Sequence, residues 1–220
     1  MSEVNLRTPI IQKYFQQYLS NEDAAAFIKK VSECYTTATL ERLAENSPRI
    51  SRRAAVLALG FVSTYESNAV MGRALSDRDR GVRILAENGI RQIWCRDGNV
   101  AQRQKLGIII RLNFSRQFAR AIEISTALLR EAQWFAEVWN QRAIAHFNLS
   151  QFKQSIHDCH QTLELNPYHF GAATGMGQCY LELNDHVAAL ESFRRALKLN
   201  PGLEGVRAQV DYIQRTTESE

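Results

Sequence analysis

Residues 163–167 have the sequence LELNP, and residues 197–201 have the sequence LKLNP, 34 positions later along the chain. Each copy ends in a proline, which has no backbone N–H and cannot continue a helix, so each copy marks a point where a helix must stop. A fixed period of this length is typical of repeats that each contribute one helical hairpin and stack on their neighbours. The period therefore predicts stacked helical hairpins over the C-terminal half.

Small and large residues recur around these prolines in a regular order. With each proline at repeat position 32, the two copies cover residues 136–169 and 170–203. Small residues at repeat positions 8 and 20 would let the two helices of a hairpin approach closely, and large residues at positions 4, 11 and 24 would fill the remaining space. The pattern is carried by Trp139, Ala143, His146, Ser155 and Pro167 in the first copy and by Met176, Gly177, Tyr180, Ala189, Phe193, Ala196 and Pro201 in the second. It resembles the tetratricopeptide repeat, and the resemblance implies an α-solenoid with a concave binding groove.

Two further segments extend the repeat in both directions. Residues 102–135 keep Ala121-Ile122 and Leu128-Leu129 in the same register but lack the proline, and we interpret them as a third copy. After the last copy, apolar residues recur at the spacing of a one-sided amphipathic helix, which would cap the exposed end of a stack. These residues are Leu203, Val206, Val210 and Ile213.

The N-terminal half repeats with a different period, of 31 residues. The matched positions are Ala24, Ala55 and Ala86; Ile28, Leu59 and Ile90; and Val31, Val62 and Ile93. The segments Arg52–Leu59 and Arg83–Ile90 share an Arg-x-x-Ala core that resembles short HEAT-like repeats, which implies helical hairpins here too. Asn21–Asp23 predicts one helix start, and Ser47-Pro48 predicts another with Ser47 as N-cap and Pro48 at the first helical position.

The two periods together predict an all-α fold, an α-solenoid (α-α superhelix) of antiparallel helical hairpins with HEAT-like repeats followed by tetratricopeptide repeats. The apolar stripe of Ile10, Ile11, Tyr14, Phe15, Tyr18 and Leu19 predicts an N-terminal helix that caps the array; a membrane-surface helix is disfavoured because its polar face lacks a basic row. The predicted organisation is a capping helix at 1–20, HEAT-like repeats at 21–98, three tetratricopeptide-like repeats at 99–203 (102–135, 136–169, 170–203), and a C-terminal capping helix and tail at 204–220.

The composition is that of an ordinary globular protein with an uneven charge. Residues 42–120 hold fourteen Arg and one Lys against six acidic residues, a local charge of +9 within a chain of net charge +4. No apolar run is long enough to span a membrane, and the N-terminus lacks a basic-then-apolar leader. The four cysteines are far apart, without CxxC spacing, which indicates reduced thiols. We therefore expect a cytoplasmic location.

The stretch His157-Asp158-Cys159-His160 is the segment that most resembles a metal site. Successive helical residues turn by about 100°, so Cys159 cannot share a metal with both histidines in a regular helix. Its repeat position predicts a buried thiol that acts as a small apolar side chain. His157, His160 and Glu164 share one face, yet one solvated helix face rarely closes a coordination shell. We therefore predict no metal and no cofactor, and the chain also lacks the P-loop, GxGxxG, GxSxG and HExxH motifs of common enzymes.

The resemblance to the tetratricopeptide repeat implies which side chains line the groove, and these are apolar residues and neutral amides. The candidates are Ile110, Asn113, Asn140, Gln141, Ile144, Phe147, Asn148, Thr174, Gln178 and Leu181. Apolar anchors with amides that satisfy backbone groups suit an extended peptide or an amphipathic helix. The best-known members of the family bind the C-terminal carboxylate of a peptide with lysine and asparagine at set repeat positions, a site called the carboxylate clamp. The corresponding positions here carry no lysine. The alternative is that part of this stripe belongs to the core.

The Arg-rich middle is the second candidate surface. Its members are Arg49, Arg52, Arg53, Arg73, Arg80 and Arg83. They could bind nucleic acid or an acidic partner, or they could simply be solvated or bridge neighbouring repeats. The stretch lacks aromatic residues interleaved for base stacking, which makes nucleic acid the less favoured partner.

These observations predict a non-enzymatic scaffold or adaptor that binds a peptide or amphipathic helix of another protein in its groove. The alternative function is a basic HEAT-like surface that binds nucleic acid or an acidic partner. Neither a membrane span nor a small-molecule substrate is expected.

Overall fold

The computed structural model describes residues 9–217, and within that range the regular structure is entirely helical. The predicted all-α class of helical hairpins is confirmed, and no helix in this range is long and apolar enough to cross a bilayer. The helices are α1 (Ile10–Asn21), α2 (Ala24–Cys34), α3 (Thr37–Asn46), α4 (Arg49–Val62), α5 (Asn68–Ala74, after a 3-10 turn at Tyr65–Ser67), α6 (Arg80–Cys95), α7 (Val100–Phe114), α8 (Phe118–Glu131), α9 (Ala136–Asn148), α10 (Phe152–Leu165), α11 (Phe170–Glu182), α12 (His186–Leu199) and α13 (Glu204–Thr217). The chain divides into two compact units, Met1–Ile93 (unit 1) and Trp94–Glu220 (unit 2).

Unit 1 begins with the predicted amphipathic helix. α1 packs against α2 and α4, and it buries Ile11 and Phe15 while Ile10 and Leu19 stay exposed. The backbone N–H of Ile11 donates to the Tyr35 hydroxyl at 3.0 Å, which ties the first turn of α1 to the end of α2. Part of the predicted stripe is therefore core, and part faces water.

The two predicted helix starts in unit 1 differ in outcome. At the first, the Asp23 carboxylate accepts from the Ala26 N–H at 2.9 Å and caps α2. At the second, the prediction was wrong by one residue, because Pro48 is the N-cap of α4 and Ser47 ends α3. Pro48 has an extended ψ of 155°, which keeps it outside the helix, although its carbonyl accepts the N–H of Arg52.

A close backbone contact joins α4 and α6 within unit 1. A Cβ built on Gly60 would lie 2.9 Å from the Gly89 Cα, and a Cβ on Gly89 would lie 2.9 Å from the Gly60 Cα. Only two glycines allow helices to meet at this distance, because the atoms in the way belong to backbone and cannot rotate aside. At this contact, small residues thus meet small residues.

Unit 2 repeats one backbone turn three times. Arg116, Ser150 and Asn184 lie 34 residues apart in sequence and have φ values of 59°, 57° and 59°. After each, an N–H returns to a carbonyl five residues back: from Gln117 to Leu112 at 2.8 Å, from Gln151 to His146 at 2.9 Å and from Asp185 to Tyr180 at 2.9 Å. This is the Schellman type of helix ending. The 34-residue period therefore extends through α7 and α8, where no proline marks it.

The core of unit 2 pairs small residues with large ones. A Cβ on Gly177 would lie 2.5 Å from the ring of Phe193, which is fully buried on α12. α13 packs against α12 and buries Val206, Val210 and Ile213, which confirms the predicted C-terminal amphipathic helix. The remaining buried members of this cluster are Ala143, Cys159, Leu163, Ala172, Ala173, Met176, Ala189 and Ala196.

Candidate binding surfaces

The predicted groove residues lie on α7, α9 and α11, the first helices of the three hairpins of unit 2. α9 contacts both α7 and α11, so the three helices form a row. Ile144 is 39% exposed on α9, whereas Ile110 and Phe147 are half-buried. The ring of Phe147 packs edge-on against Phe152 at 5.7 Å. Phe114, at the end of α7, is 91% exposed and is the most exposed large apolar side chain of unit 2 among the described residues.

The amides that were predicted to line the groove instead bond to one another and to a buried carboxylate. The Asn113 side-chain N–H₂ donates to the carbonyl and side-chain oxygens of Gln141, at 2.9 and 3.0 Å. Gln141 and Asn140 in turn donate to Oε1 of Glu137, at 2.7 and 3.1 Å. A buried charge needs hydrogen bonds from its neighbours. Asn140 and Gln141 donate them to Glu137, and Asn113 in turn donates to the side chain of Gln141.

Glu137 is also bound to the next hairpin through His169. The His169 Nδ1 accepts from the Ala172 N–H at 3.0 Å, so its proton sits on Nε2, which lies 3.0 Å from Glu137 Oε2. The ring of Trp94 stacks on His169 at 4.0 Å between centroids. Burial opposes the ionisation of Glu137, but the hydrogen bonds from His169, Gln141 and Asn140 outweigh it and lower the pKa of the carboxyl. The carboxylate is therefore a structural link between repeats.

The other predicted groove residues fall into two groups. Asn148 and Thr174 bond within their own helices, to the carbonyls of Ile144 at 2.8 Å and of Phe170 at 2.9 Å. Gln178 is half-buried on α11, and so is Leu181, which packs against the core cluster around Phe193. The groove therefore offers mainly apolar side chains to a ligand.

Three of the six arginines predicted for the basic surface, Arg52, Arg53 and Arg73, form ion pairs. Arg52 is 3% exposed and donates through Nε and Nη2 to both oxygens of Asp77 at 2.8 Å, so it is not a surface residue as predicted for the basic surface. The third donor of Arg52 reaches the Ser47 carbonyl at 3.0 Å. Arg83 donates to the Asp77 carbonyl at 2.8 Å. Arg52 and Arg83 thus meet at one loop and bridge neighbouring hairpins.

Arg53 and Arg73 are paired in the same way nearer the surface. Arg53 holds both oxygens of Asp79 at 2.6 and 2.8 Å, and Arg73 holds Glu45 at 2.5 Å. The hydrogen bond from Arg53 lowers the pKa of Asp79 to about 2 against a smaller opposing effect of burial. The positive charge counted from the sequence is therefore partly neutralised in the folded chain.

Three members of the predicted basic surface remain exposed: Arg73, which is paired with Glu45, and Arg49 and Arg80, which lie on the first turns of α4 and α6. Arg49 lies near enough to Asp79 to contribute to the lowered pKa of that carboxyl. Two exposed arginines beside an ionised aspartate form a weaker anion site than the six predicted arginines would.

The stretch 157–160 has the geometry that helical register predicts. Cys159 is buried in the core of unit 2, and burial raises the pKa of its thiol. Asp158 is also buried and receives Nε and Nη2 of Arg142 at 2.7 and 2.8 Å. His157 and His160 are exposed. The segment is a structural turn of α10 with its polar residues pointing in different directions.

Within the described part of the chain, no three His, Cys, Asp or Glu side chains come together as a set that could hold a metal ion. Cys34, Cys95, Cys159 and Cys179 are all free thiols. Burial raises the pKa of Cys95 to about 12, so this thiol is a poor nucleophile near neutral pH.

Sequence reasoning missed two polar centres. Glu137 and His169 are 32 residues apart, and neither type of residue is expected in a core. The second centre joins Arg142 to Asp158, and the sequence holds a signal for it, because Arg142 occupies a repeat position where the tetratricopeptide family usually has leucine. A charged residue at an apolar repeat position is the signal that could have revealed a buried partner.

Helical hairpins in a row define the class of helical-repeat proteins. The family model for the tetratricopeptide repeat matches residues 136–169 and 172–203. Residues 136–203 are therefore tetratricopeptide repeats, as their pattern indicated. The turn geometry at Arg116 agrees with the same architecture earlier in unit 2.

The chain is also similar to known repeat proteins. It is 29% identical over 79 residues to a TPR repeat-containing protein of Rhizobium etli, covering 36% of this chain and 39% of that protein. It is 34% identical over 80 residues to a Protein SGT1 homolog of Bos taurus, covering 36% of this chain and 24% of that protein. The matched residues thus span well under half of either relative. Among solved structures, the Arabidopsis OM64 TPR domain superposes with a TM-score of 0.51 at 21% identity, over 52% of this chain and 95% of that domain.

Proposed function

We propose that the protein is a non-enzymatic scaffold that binds a peptide or an amphipathic helix of another protein on the first helices of unit 2. The observation that carries this proposal is the exposure of large apolar side chains there, with Phe114 at 91% and Ile144 at 39%. Exposed apolar side chains on a row of neighbouring helices are typical of protein-binding surfaces. Phe147, one turn from Ile144, extends the same stripe into a half-buried position.

The internal bonding of the amides favours apolar anchors as the basis of recognition. Asn113, Asn140 and Gln141 already donate to partners within the protein, so a ligand gains little from them. They hold α7 and α9 in a fixed relation, and such rigidity lowers the entropic cost of binding. The repeat positions used by the family's carboxylate clamp carry no lysine, so the proposed ligand docks by its apolar face, with its C-terminus free to lie elsewhere.

We further propose that residues 102–135 serve as a third repeat and contribute Phe114 to the groove. The support is the left-handed residue Arg116, which lies 34 positions before Ser150 in the same kind of turn. Binding of nucleic acid to unit 1 is not favoured, because Arg52, Arg53 and Arg73 are held by carboxylates. A cytoplasmic location stays a proposal that rests on the four free cysteines.

The experiment selects ligands and then tests where they bind. A random dodecapeptide phage library is panned on the full-length protein, and the recovered consensus peptide is synthesised with a fluorescent label. Its dissociation constant is measured by anisotropy for wild type, Phe114→Glu and Ile144→Glu. Both variants place a charge among apolar anchors, so each should weaken binding by about tenfold or more.

The control is Val187→Glu, which adds the same charge to an apolar residue that is 71% exposed on a second helix, α12. It should bind as wild type does, and circular dichroism should show that all variants are folded. Equal binding by Phe114→Glu, Ile144→Glu and wild type would overturn the groove, and a panning that enriches no peptide would overturn the proposed function.

A further inference from the structure

A second cavity, separate from the groove, lies mainly between the second helices α8 and α10 of unit 2. Its volume is about 750 Å³, within the range of pockets that hold small ligands or a few peptide residues. The side chains that matter for its chemistry are Arg130, Trp134, Trp139, Arg142, His157 and Gln161. We call it the two-tryptophan pocket.

The floor of the two-tryptophan pocket is held rigid by hydrogen bonds. The Trp139 indole N–H donates to the Gln133 carbonyl at 2.7 Å, which fixes the plane of the ring. The Arg142 guanidinium lies 4.8 Å from the centroid of that ring and is held by Asp158 and by the Thr126 hydroxyl. A preorganised aromatic surface of this kind can bind a flat or branched apolar side chain without having to reorganise.

The edge of the pocket carries a partly exposed tryptophan and positive charge without a bound partner. Trp134 is 48% exposed and stacks on Phe135, so one face is free to receive a ligand. Arg130 is exposed and makes no hydrogen bond or ion pair with any side chain in the described range. The side chain of His157 is 65% exposed, with Nδ1 at 3.2 Å from Asp158.

No acidic residue is among the side chains that line the cavity in the described structure. Asp158 lies beneath it, covered by Arg142 and His157, and balances the charge of Arg142. Glu164 does not line the cavity, but it accepts a hydrogen bond at 3.1 Å from Gln161, which does. The charge that remains uncompensated at the pocket is therefore positive and small, on the order of one arginine.

From these features we propose that the two-tryptophan pocket binds a short acidic peptide segment of a partner protein, with an aromatic or leucine side chain between carboxylates. The apolar side chain would lie on Trp134 and Trp139, and a carboxylate would pair with Arg130 at the edge. A nucleotide fits less well, because one unpaired arginine cannot balance several phosphate charges and no glycine is among the described residues that line the cavity. The pocket lies among α8, α9 and α10, and none of the predicted groove residues lines it.

The test uses two matched peptides and the full-length protein. The probe is fluorescein-labelled Glu-Asp-Phe-Glu-Asp, and its neutral counterpart is Gln-Asn-Phe-Gln-Asn with both termini blocked. Fluorescence anisotropy should give saturable binding of the acidic peptide, with the neutral peptide weaker by about tenfold. Equal affinity for the two peptides, or no saturation with the acidic one, overturns the proposal.

Variants locate the binding. Arg130→Gln and Trp134→Ala should each weaken the acidic peptide by about tenfold. Glu164→Gln removes the carboxylate bonded to Gln161 and should tighten binding by about two- to fivefold. Arg120→Gln is the matched control, since Arg120 is also exposed on α8 but lies outside the pocket.

Three results contradict the site. A loss with Arg120→Gln equal to that with Arg130→Gln means that binding follows overall charge. Displacement of the peptide by ATP at equal concentration means that the pocket prefers nucleotides. Loss of the peptide in Ile144→Glu, with Trp134→Ala unaffected, places the peptide in the groove; none of these results would remove the proposal made for the groove itself.

Discussion

Units 1 and 2 use glycine at a helix contact in different ways. In unit 1, Gly60 meets the backbone of Gly89, and neither residue has a side chain to offer. In unit 2, Gly177 leaves room for the ring of Phe193, which fills it completely. A small residue opposite a large one leaves a recognisable pattern in the sequence, whereas two small residues leave almost none. This difference explains why the 34-residue repeat is easier to recognise in the sequence than the 31-residue repeat.

The units are alike in burying an ion pair between an arginine and an aspartate. Arg52 and Asp77 form it in unit 1, and Arg142 and Asp158 form it in unit 2, each through two hydrogen bonds. Removing one partner leaves the other charge buried, which costs far more than losing an exposed pair. The comparison of the units can therefore be tested at these pairs and at the glycines.

The largest effect is expected at the buried pair of unit 1. Asp77→Ala should lower the free energy of unfolding by about 3 kcal/mol, because Arg52 would be left without its carboxylate in a nearly dry site. Urea denaturation followed by circular dichroism measures the change. Glu45→Ala is the control, since it breaks an exposed pair with Arg73 and should cost less than about 1 kcal/mol. Equal losses in the two variants would mean that burial does not set the strength of the pair.

The glycine contacts come next. Gly60→Ala should destabilise the protein by about 2–3 kcal/mol, because the added methyl group meets backbone that cannot move aside. Gly177→Ala should cost about 1–2 kcal/mol, since the Phe193 ring can tilt slightly within the core. Thermal unfolding compares the two variants.

Gly175→Ala is the matched control for both glycine variants. It lies in α11 two residues before Gly177, and its Cβ would be 3.5 Å from the Cys159 sulfur, an ordinary contact. It should be neutral or stabilising by up to about 1 kcal/mol, because alanine has the higher helix propensity. A greater loss at Gly177 than at Gly60 would reverse the contrast drawn between the units.

Acid should weaken unit 1 through Asp79. Its pKa in the folded state is about 2, below the ordinary value of an aspartate, so its ionised form stabilises the fold above about pH 4 and this contribution disappears as the pH falls towards 2. Asp79→Asn keeps an oxygen for the N–H of Val82 but removes the charge, so its stability should change less steeply between pH 4 and 2. Unfolding free energies measured across this range decide the point, and identical slopes would contradict the assignment.

The smallest effect concerns the turns of unit 2. Ser150 has a φ of 57°, which costs a residue with a side chain free energy that glycine avoids. Ser150→Gly should therefore raise stability by about 0.5–1 kcal/mol, and Arg116→Gly should do the same if its turn is equivalent. Asn184→Gly should gain less, because asparagine tolerates this conformation. A melting-temperature series shows whether the three turns behave as one motif.

The sequence was sufficient for features that depend on period and register. The prolines at 167 and 201 located hairpins, the close packing at Gly177 followed from its repeat position, and helical geometry placed Cys159 in the core. The amphipathic spacing of Val206 and Val210 predicted α13. These inferences depend only on the spacing of residues along the chain and on the geometry of a helix.

The sequence did not predict which distant residues tertiary packing brings into contact. Arg52 and Asp77 are 25 residues apart, with Asp77 in a loop, so no helical spacing relates them. The amides Asn140 and Gln141 were predicted as groove ligands, but they serve Glu137, whose burial has no local signal. The two-tryptophan pocket likewise depends on how α8, α9 and α10 meet.

The bond between Glu137 and His169 has a consequence for engineering this array. Glu137 lies on α9, and His169 is the N-cap of α11, so the bond joins the first helices of two successive hairpins. A splice placed between α10 and His169 would therefore leave an ionised carboxylate or an imidazole without its partner. Exchange of a repeat should succeed only when Glu137 and His169 are kept or replaced together, along with the residues that hydrogen-bond to them. The hairpins have similar lengths, but the bond between Glu137 and His169 requires these two hairpins to stay next to each other and in the same order.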